Sequence, residues 1–178
     1  MRRTELEHII RAASAITDQY ELMIVGSQSI LGSVPTPPAT LIESMEADVY
    51  PLHHPELADL IDGAIGEGSP FHDRFGYYAQ GVGPETAVLP PGWQERLVRI
   101  QNPNTDLKVG FCLEPHDLAA SKLAAGREKD WPFVLEMLRH AIVGADLLIQ
   151  RVGELPISES QKMRLKTWIE SQSKTNFA

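Results

Sequence analysis

From Arg3 to Tyr20 the chain sets Leu6, Ile9, Ile10, Ala13 and Ile16 three or four residues apart, the spacing of one helical face. The period then changes. "ELMIVGS" (21–27) is a short apolar run closed by Gly-Ser, which predicts a buried strand and a turn, with a short helix over "QSILGSV". The proline-rich "PTPPAT" can be neither regular helix nor central strand. "EADVYPL" (46–52) predicts the next strand. "HPELADLIDGAIG" (54–66) predicts a helix with Leu57, Leu60, Ile61 and Ile65 on one face and glycine at its end. Residues 66–92 carry one predicted strand, "GYYAQGV", among Gly- and Pro-rich loops. "WQERLVRIQ" and "KVGFCLE" predict strands flanking the turn "NPNTD". Beyond Pro115 the spacing is helical, through "PHDLAASKLAAGREK", "PFVLEMLRHAIV", "ADLLIQRVGEL" and a last helix over about 159–171.

Strands mixed with helices, then helices alone, predict an α+β (α/β-like) class: a mixed sheet packed by helices, with a helical C-terminal third. The expected division is a core over residues 1–114 and a helical part over 115–178 packed on the same domain. Hydrophobic residues make up 43% of the 178 positions, an ordinary share for a chain with a core. No apolar run reaches the ~20 residues of a membrane span. The start, "MRRTELEHII", turns acidic too soon for a signal peptide, and the single cysteine, Cys112, sits in an apolar run that suits packing. Together these predict a cytoplasmic protein without membrane association. The net charge of −8 argues against an extended nucleic-acid-binding face and leaves room for a local basic pocket, in "SKLAAGREKD".

Three elements carry candidate chemistry. In "IVGSQSIL" a strand ends in Gly26-Ser27 before a helix, which presents backbone N–H groups and the Ser27 hydroxyl to an anion such as phosphate. The plainer reading is a turn with a helix cap. In "ESMEADVYP" Glu46 and Asp48 alternate with Ala47 and Val49, so on a strand both carboxylates face one way and both apolar residues the other. Neighbouring acids repel unless they meet water or a cation, and acids at i and i+2 can share Mg2+, which keeps positions for substrate phosphates. The alternative is a wet acidic edge strand. In "EPHDLAASKLAAGREKDWPF" a continuous helix would align Lys122, Gly126 and Lys129 in one stripe, with Glu114 as cap and Asp117 in the first turn. A lysine there can reach a phosphate, or the charges can be a solvated face; Asp130 can equally cap the following helix. The histidines show no metal-ligand spacing. Tyr77 and Tyr78 are candidates to stack on a base or an acceptor, with packing the commoner role.

Gly26-Ser27, then Glu46-x-Asp48 preceded by Ser44, then a helix reading Asp-Leu-x-x-x-Lys-Leu-x-Ala-x-Arg-x-Lys-Asp, together resemble the minimal nucleotidyltransferases of the DNA-polymerase-β-like superfamily. AbiEii-type toxins and related uncharacterised bacterial domains look the most similar, over about residues 22–140. The resemblance implies that Gly26, Ser27, Lys122 and Arg127 contact a nucleoside triphosphate. It implies that Glu46 and Asp48 hold Mg2+, and that Glu46, Asp48, Lys122 and Asp130 serve catalysis. It also implies transfer of a nucleotidyl group to a hydroxyl of RNA, tRNA included, or of protein, and a cognate antitoxin as partner. The sequence departs from the family pattern in four places. Glu46 stands where aspartate is usual, eighteen residues separate Ser27 from Glu46, Phe133 stands where a second aspartate is expected, and "RLVRIQ" has no third acid. Asp106, Glu114 and Asp117 are the substitutes at hand. A domain without that third acid would be a catalytically inactive module acting through nucleotide or partner binding.

Overall fold

A computed structural model describes residues 1–175. The chain divides into two compact units, one formed by Met1–Thr86 with Leu97–Leu113, the other by Ala87–Arg96 with the chain from Glu114 onward.

The first unit is a five-stranded mixed sheet of order β3-β2-β1-β5-β4, with β1 at Glu21–Val25, β2 at Glu46–Pro51, β3 at Tyr78–Gly81, β4 at Val98–Ile100 and β5 at Val109–Cys112. The central β1 pairs antiparallel with β2 and parallel with β5. Helix α1 (Arg3–Thr17) lies on one face, where the Cδ1 atoms of its Ile10 and of Ile24 occupy the space a side chain at Gly110 would need. Leu6, Ile9, Ile10 and Ala13 are fully buried, as the sequence spacing predicts. Helix α2 (Ala58–Ile65) packs on the same face: Gly81 of β3 lets the Ala58 backbone approach so closely that no Cβ would fit. Its buried residues are Ala58, Ile61 and Ile65, while Leu60 is 50% exposed, so the apolar face is turned from the expected one.

A short helix within 66–92, α3 (Pro70–Phe75), is not expected from the apolar pattern, yet its signals are present. Ser69 caps it by accepting the His72 N–H, Pro70 stands first, and Gly76 closes it at φ 75°. The predicted helix after Gly26 is a six-residue 3-10 segment, Ser27–Gly32. "WQERLVRIQ" is a strand only over Val98–Ile100, because Trp93–Arg96 is a 3-10 turn of the second unit.

That second unit holds α4 (Pro115–Ala125), α5 (Asp130–Arg139), α6 (Ala145–Glu154) and α7 (Glu159–Thr175). Helix α4 packs on α5 and α6, and α6 on α7. Glu114 caps α4 by accepting the N–H groups of His116 and Asp117, as expected. The unit turns on Asp117, whose fully buried carboxylate takes two hydrogen bonds from Arg96, at 2.8 and 3.1 Å, and lies 3.3 Å from Nε of Arg151. One side chain thereby ties the 87–96 segment to α4 and α6, which is why Trp93–Arg96 is not available as strand. Removing one partner from a buried ion cluster strands the remaining charges. Asp117→Ala is therefore expected to lower stability by roughly 3–5 kcal/mol in urea unfolding, against well under ~1 kcal/mol for a surface ion pair.

Candidate functional site

The site begins with register. Asp48 pairs with Val25, the last residue of β1, so its carboxylate lies beside the turn that follows. Alternation along β2 leaves Ala47 and Val49 fully buried on the α1–α2 face, and Glu46 and Asp48 half-exposed on the other, as expected. Gly26 has φ 66° and ψ −164°, and a Cβ added to it would fall on Oδ2 of Asp48. The positive φ favours glycine here, and a side chain at 26 would have to displace the Asp48 carboxylate. Ser29, fully buried, fastens the turn by donating from its hydroxyl to the Ile24 carbonyl, at 3.1 Å, and accepting the Leu113 N–H. Gly26, Ser27 and Asp48 are thus neighbours.

Pairing of β2 with β3 sets Tyr78 beside Glu46 and Gln80 beside Asp48 on the same face. The Tyr78 hydroxyl donates to Oε2 of Glu46 at 3.1 Å. Burial, then the charge and hydrogen bond of Glu46, then Glu67 and Asp48, push the Tyr78 phenol up to about 12. The His72 ring packs on Tyr78, with centroids 4.7 Å apart, and its Nδ1 accepts the Gly68 N–H at 3.0 Å. Sequence reasoning did not identify this tyrosine as a partner of Glu46; the signal was the alternation in "YAQ", which places residues 78 and 80 on one face. Tyr77 has a different setting: its hydroxyl is 2.8 Å from Nδ1 of His8, and its ring meets Phe71 and Phe75.

On the other side of β1, the same face carries Phe111, which pairs with Met23, and then Arg99. Neither is an acid. Of the expected substitutes, Asp106 is exposed in a left-handed turn residue, Glu114 caps α4, and Asp117 is held by two arginines. Among the described residues no three His, Cys, Asp or Glu side chains come together to hold a metal. A pair of carboxylates still fits a hard cation that keeps most of its shell for water and phosphate, as Mg2+ does. Both acids offer only oxygen donors, both are half-exposed, and Gly26 leaves the space that Oδ2 of Asp48 fills.

In the second unit, α4 stops at Ala125 because Gly126, at φ 63°, caps it in the left-handed conformation. The expected stripe of Lys122, Gly126 and Lys129 is therefore not formed, and Lys129 instead precedes α5. Lys122 is 8% exposed, its amine 2.9 Å from Oδ1 of Asp130 and over the Phe133 ring, 4.5 Å from the centroid. Asp130 opens α5 rather than capping it, and its Oδ2 accepts the Arg127 N–H at 3.3 Å. Lys122, Arg127 and Asp130 thus form one cluster, in which the Arg127 side chain is exposed. Phe133 serves as the aromatic floor beneath Lys122. Cys112 is fully buried and burial pushes its thiol up to about 12, consistent with packing. Trp131 and Trp168 pack edge to face at 4.9 Å.

A mixed sheet bearing an acid-x-acid strand next to a Gly-Ser turn is the arrangement that the resemblance to nucleotidyltransferases leads one to expect. The comparison with protein families is in agreement: residues 4–175 match the family described as nucleotidyltransferase of unknown function (DUF6036), and the chain belongs to it. It matches none of the curated proteins and none of the solved structures with which it was compared. No helix among the described residues is long and apolar enough to cross a membrane.

Two outcomes are expected. Gly26→Ala adds a side chain where Asp48 lies and strains a positive φ, so it should displace the Asp48 carboxylate and destabilise the first unit by about 1–3 kcal/mol, read as chemical-shift changes along β2 and a lower urea midpoint. In alkaline titration, Tyr78 should ionise near 12 against an ordinary 10. Because its folded value is raised, its contribution to stability is complete below pH 10 and is lost as pH rises through about 12. Spectrophotometric titration should show this late step missing in Tyr78→Phe.

Proposed function

We propose that the protein is a Mg2+-dependent nucleotidyltransferase that moves a nucleotidyl group from a nucleoside triphosphate to a hydroxyl of RNA, tRNA included, or of protein. The observation that carries this reading is the pairing of Glu46 and Asp48 on one half-exposed face with Asp48 set against the Gly26 turn. Transfer of this kind asks a protein mainly for positioning and charge neutralisation. The acceptor oxygen bonds to the α-phosphorus, the bond to the departing pyrophosphate breaks, and the hydroxyl proton passes to solvent water, since Phe111 and Arg99 stand where a carboxylate base would be. Mg2+, when bound, would offset the charge that develops on the phosphate oxygens. Glu46 and Asp48 would orient that ion, and Gly26 and Ser27 would cradle the phosphates. By the same resemblance Arg127 and Lys122 would bind the nucleotide; within the second unit Asp130 holds the Lys122 amine.

The reading extends to a toxin acting in the cytoplasm and held in check by a cognate antitoxin, in line with the resemblance to AbiEii-type proteins. A second reading, an inactive module that binds nucleotide or a partner without transfer, draws on the sheet itself, where Phe111 and Arg99 stand on the site face in place of an acid. Incubation with each labelled triphosphate, Mg2+ and total cell RNA and protein separates them. The first reading expects label on one acceptor class, lost by at least ~100-fold in Asp48→Ala while the fold survives. The second expects nucleotide binding with no label transferred. Growth arrest on expression, relieved by Asp48→Ala, is the expected outcome for a toxin.

A further inference from the structure

Two carboxylates on one strand face need something to hold them at a fixed separation when no cation is between them. Residues i and i+2 stand ~7 Å apart along a strand. Like charges at that distance repel by about 0.6 kcal/mol in water and roughly 2.4 kcal/mol at an effective dielectric of ~20. Glu46 is also the longer of the pair, with one more rotatable bond than the aspartate usual at its position. An unrestrained glutamate would swing away from Asp48 and lose the geometry a shared ligand requires.

Tyr78 supplies the restraint. Its hydroxyl donates to one oxygen of Glu46, Oε2, across the β2–β3 pairing, and leaves the other oxygen for a ligand. The tyrosine is itself held, since the His72 ring lies against it and that ring is fixed through Nδ1 by the Gly68 N–H. Ser69 in turn caps α3 through the His72 N–H, so a continuous set of contacts runs from the 66–72 segment to the carboxylate. Among the described residues the Tyr78 hydroxyl bonds to Glu46. The neighbouring Tyr77 makes the packing contacts with His8, Phe71 and Phe75, and a phenylalanine could fill the ring position of Tyr78.

We propose that Tyr78 is a positioning residue of the cation site, holding Glu46 so that it and Asp48 present oxygens to one divalent ion. This rests on the nucleotidyltransferase reading above. Residues that hydrogen-bond a metal ligand tune affinity through it, and their loss usually costs 10- to 100-fold.

The test is calorimetric titration of Mn2+ and Mg2+ into the full chain without nucleotide, for wild type, Tyr78→Phe, Glu46→Ala and the double variant, alongside thermal unfolding. The expected result is a 10- to 100-fold weaker affinity in Tyr78→Phe with an unfolding midpoint close to wild type. Tyr78→Phe should change nothing further in the Glu46→Ala background. In transfer assays the Mg2+ concentration for half-maximal rate should rise by the same factor, with the rate recovered at saturating Mg2+. Equal cation affinity in wild type and Tyr78→Phe would overturn the role of Tyr78 and leave the enzymatic reading standing. An additive loss in the double variant would also overturn it, because Tyr78 would then act by a route other than Glu46. Absence of cation binding by the wild type would overturn both.

Discussion

The close approach of the Gly26 backbone to the Asp48 carboxylate is the constraint on which the site depends. It exists because β1 and β2 pair antiparallel in a register that sets Val25 opposite Asp48. A slip of one residue would send Glu46 and Asp48 into the α1–α2 layer and bring Ala47 and Val49 out, exchanging a fully buried apolar set for two charges. Burial of the apolar residues therefore fixes where the acids point. The site inherits its geometry from the hydrophobic core.

What the acids do there is a matter of charge. Their mutual repulsion is a cost that half-exposure moderates and the Tyr78 hydroxyl offsets, since a hydrogen bond to a charged group contributes ~1.5–3 kcal/mol. In the second unit the balance is struck differently. Lys122 and Asp130 are both nearly buried and neutralise each other, with Phe133 beneath the amine, and Asp117 is satisfied by two guanidinium groups. Ion pairs that close on themselves hold structure. On β2 two carboxylates share one face, and the proposed cation would lie against them.

Much of this was legible in the sequence. Periods of 3.6 and 2 located α1, β1 and β2, and alternation in "EADV" separated the acids from the core. Gly-Ser after a strand marked the turn, and Glu114-Pro115 marked the start of α4. The rest was hidden for identifiable reasons. The stripe of Lys122, Gly126 and Lys129 assumed a continuous helix, and the left-handed glycine at 126 ended it. The strand expected over "WQER" gave way to a turn because Arg96 is drawn to Asp117, a partner distant in sequence. Helix α3 was too short to show a period, although its Ser-Pro start and glycine end were visible. Tyr78 could be assigned to Glu46 only once the parallel pairing of β2 and β3 was known, because no local signal says which strand lies beside which.

The central claim is that the carboxylates at positions 46 and 48 share one divalent ion. Diffraction from crystals of the chain grown with Mn2+ and a non-hydrolysable nucleoside triphosphate, measured for anomalous signal, tests it most directly. The account predicts a peak within coordination distance of both side chains and of the phosphates beside Gly26. A peak bound elsewhere, with Glu46 and Asp48 turned to water, would contradict it.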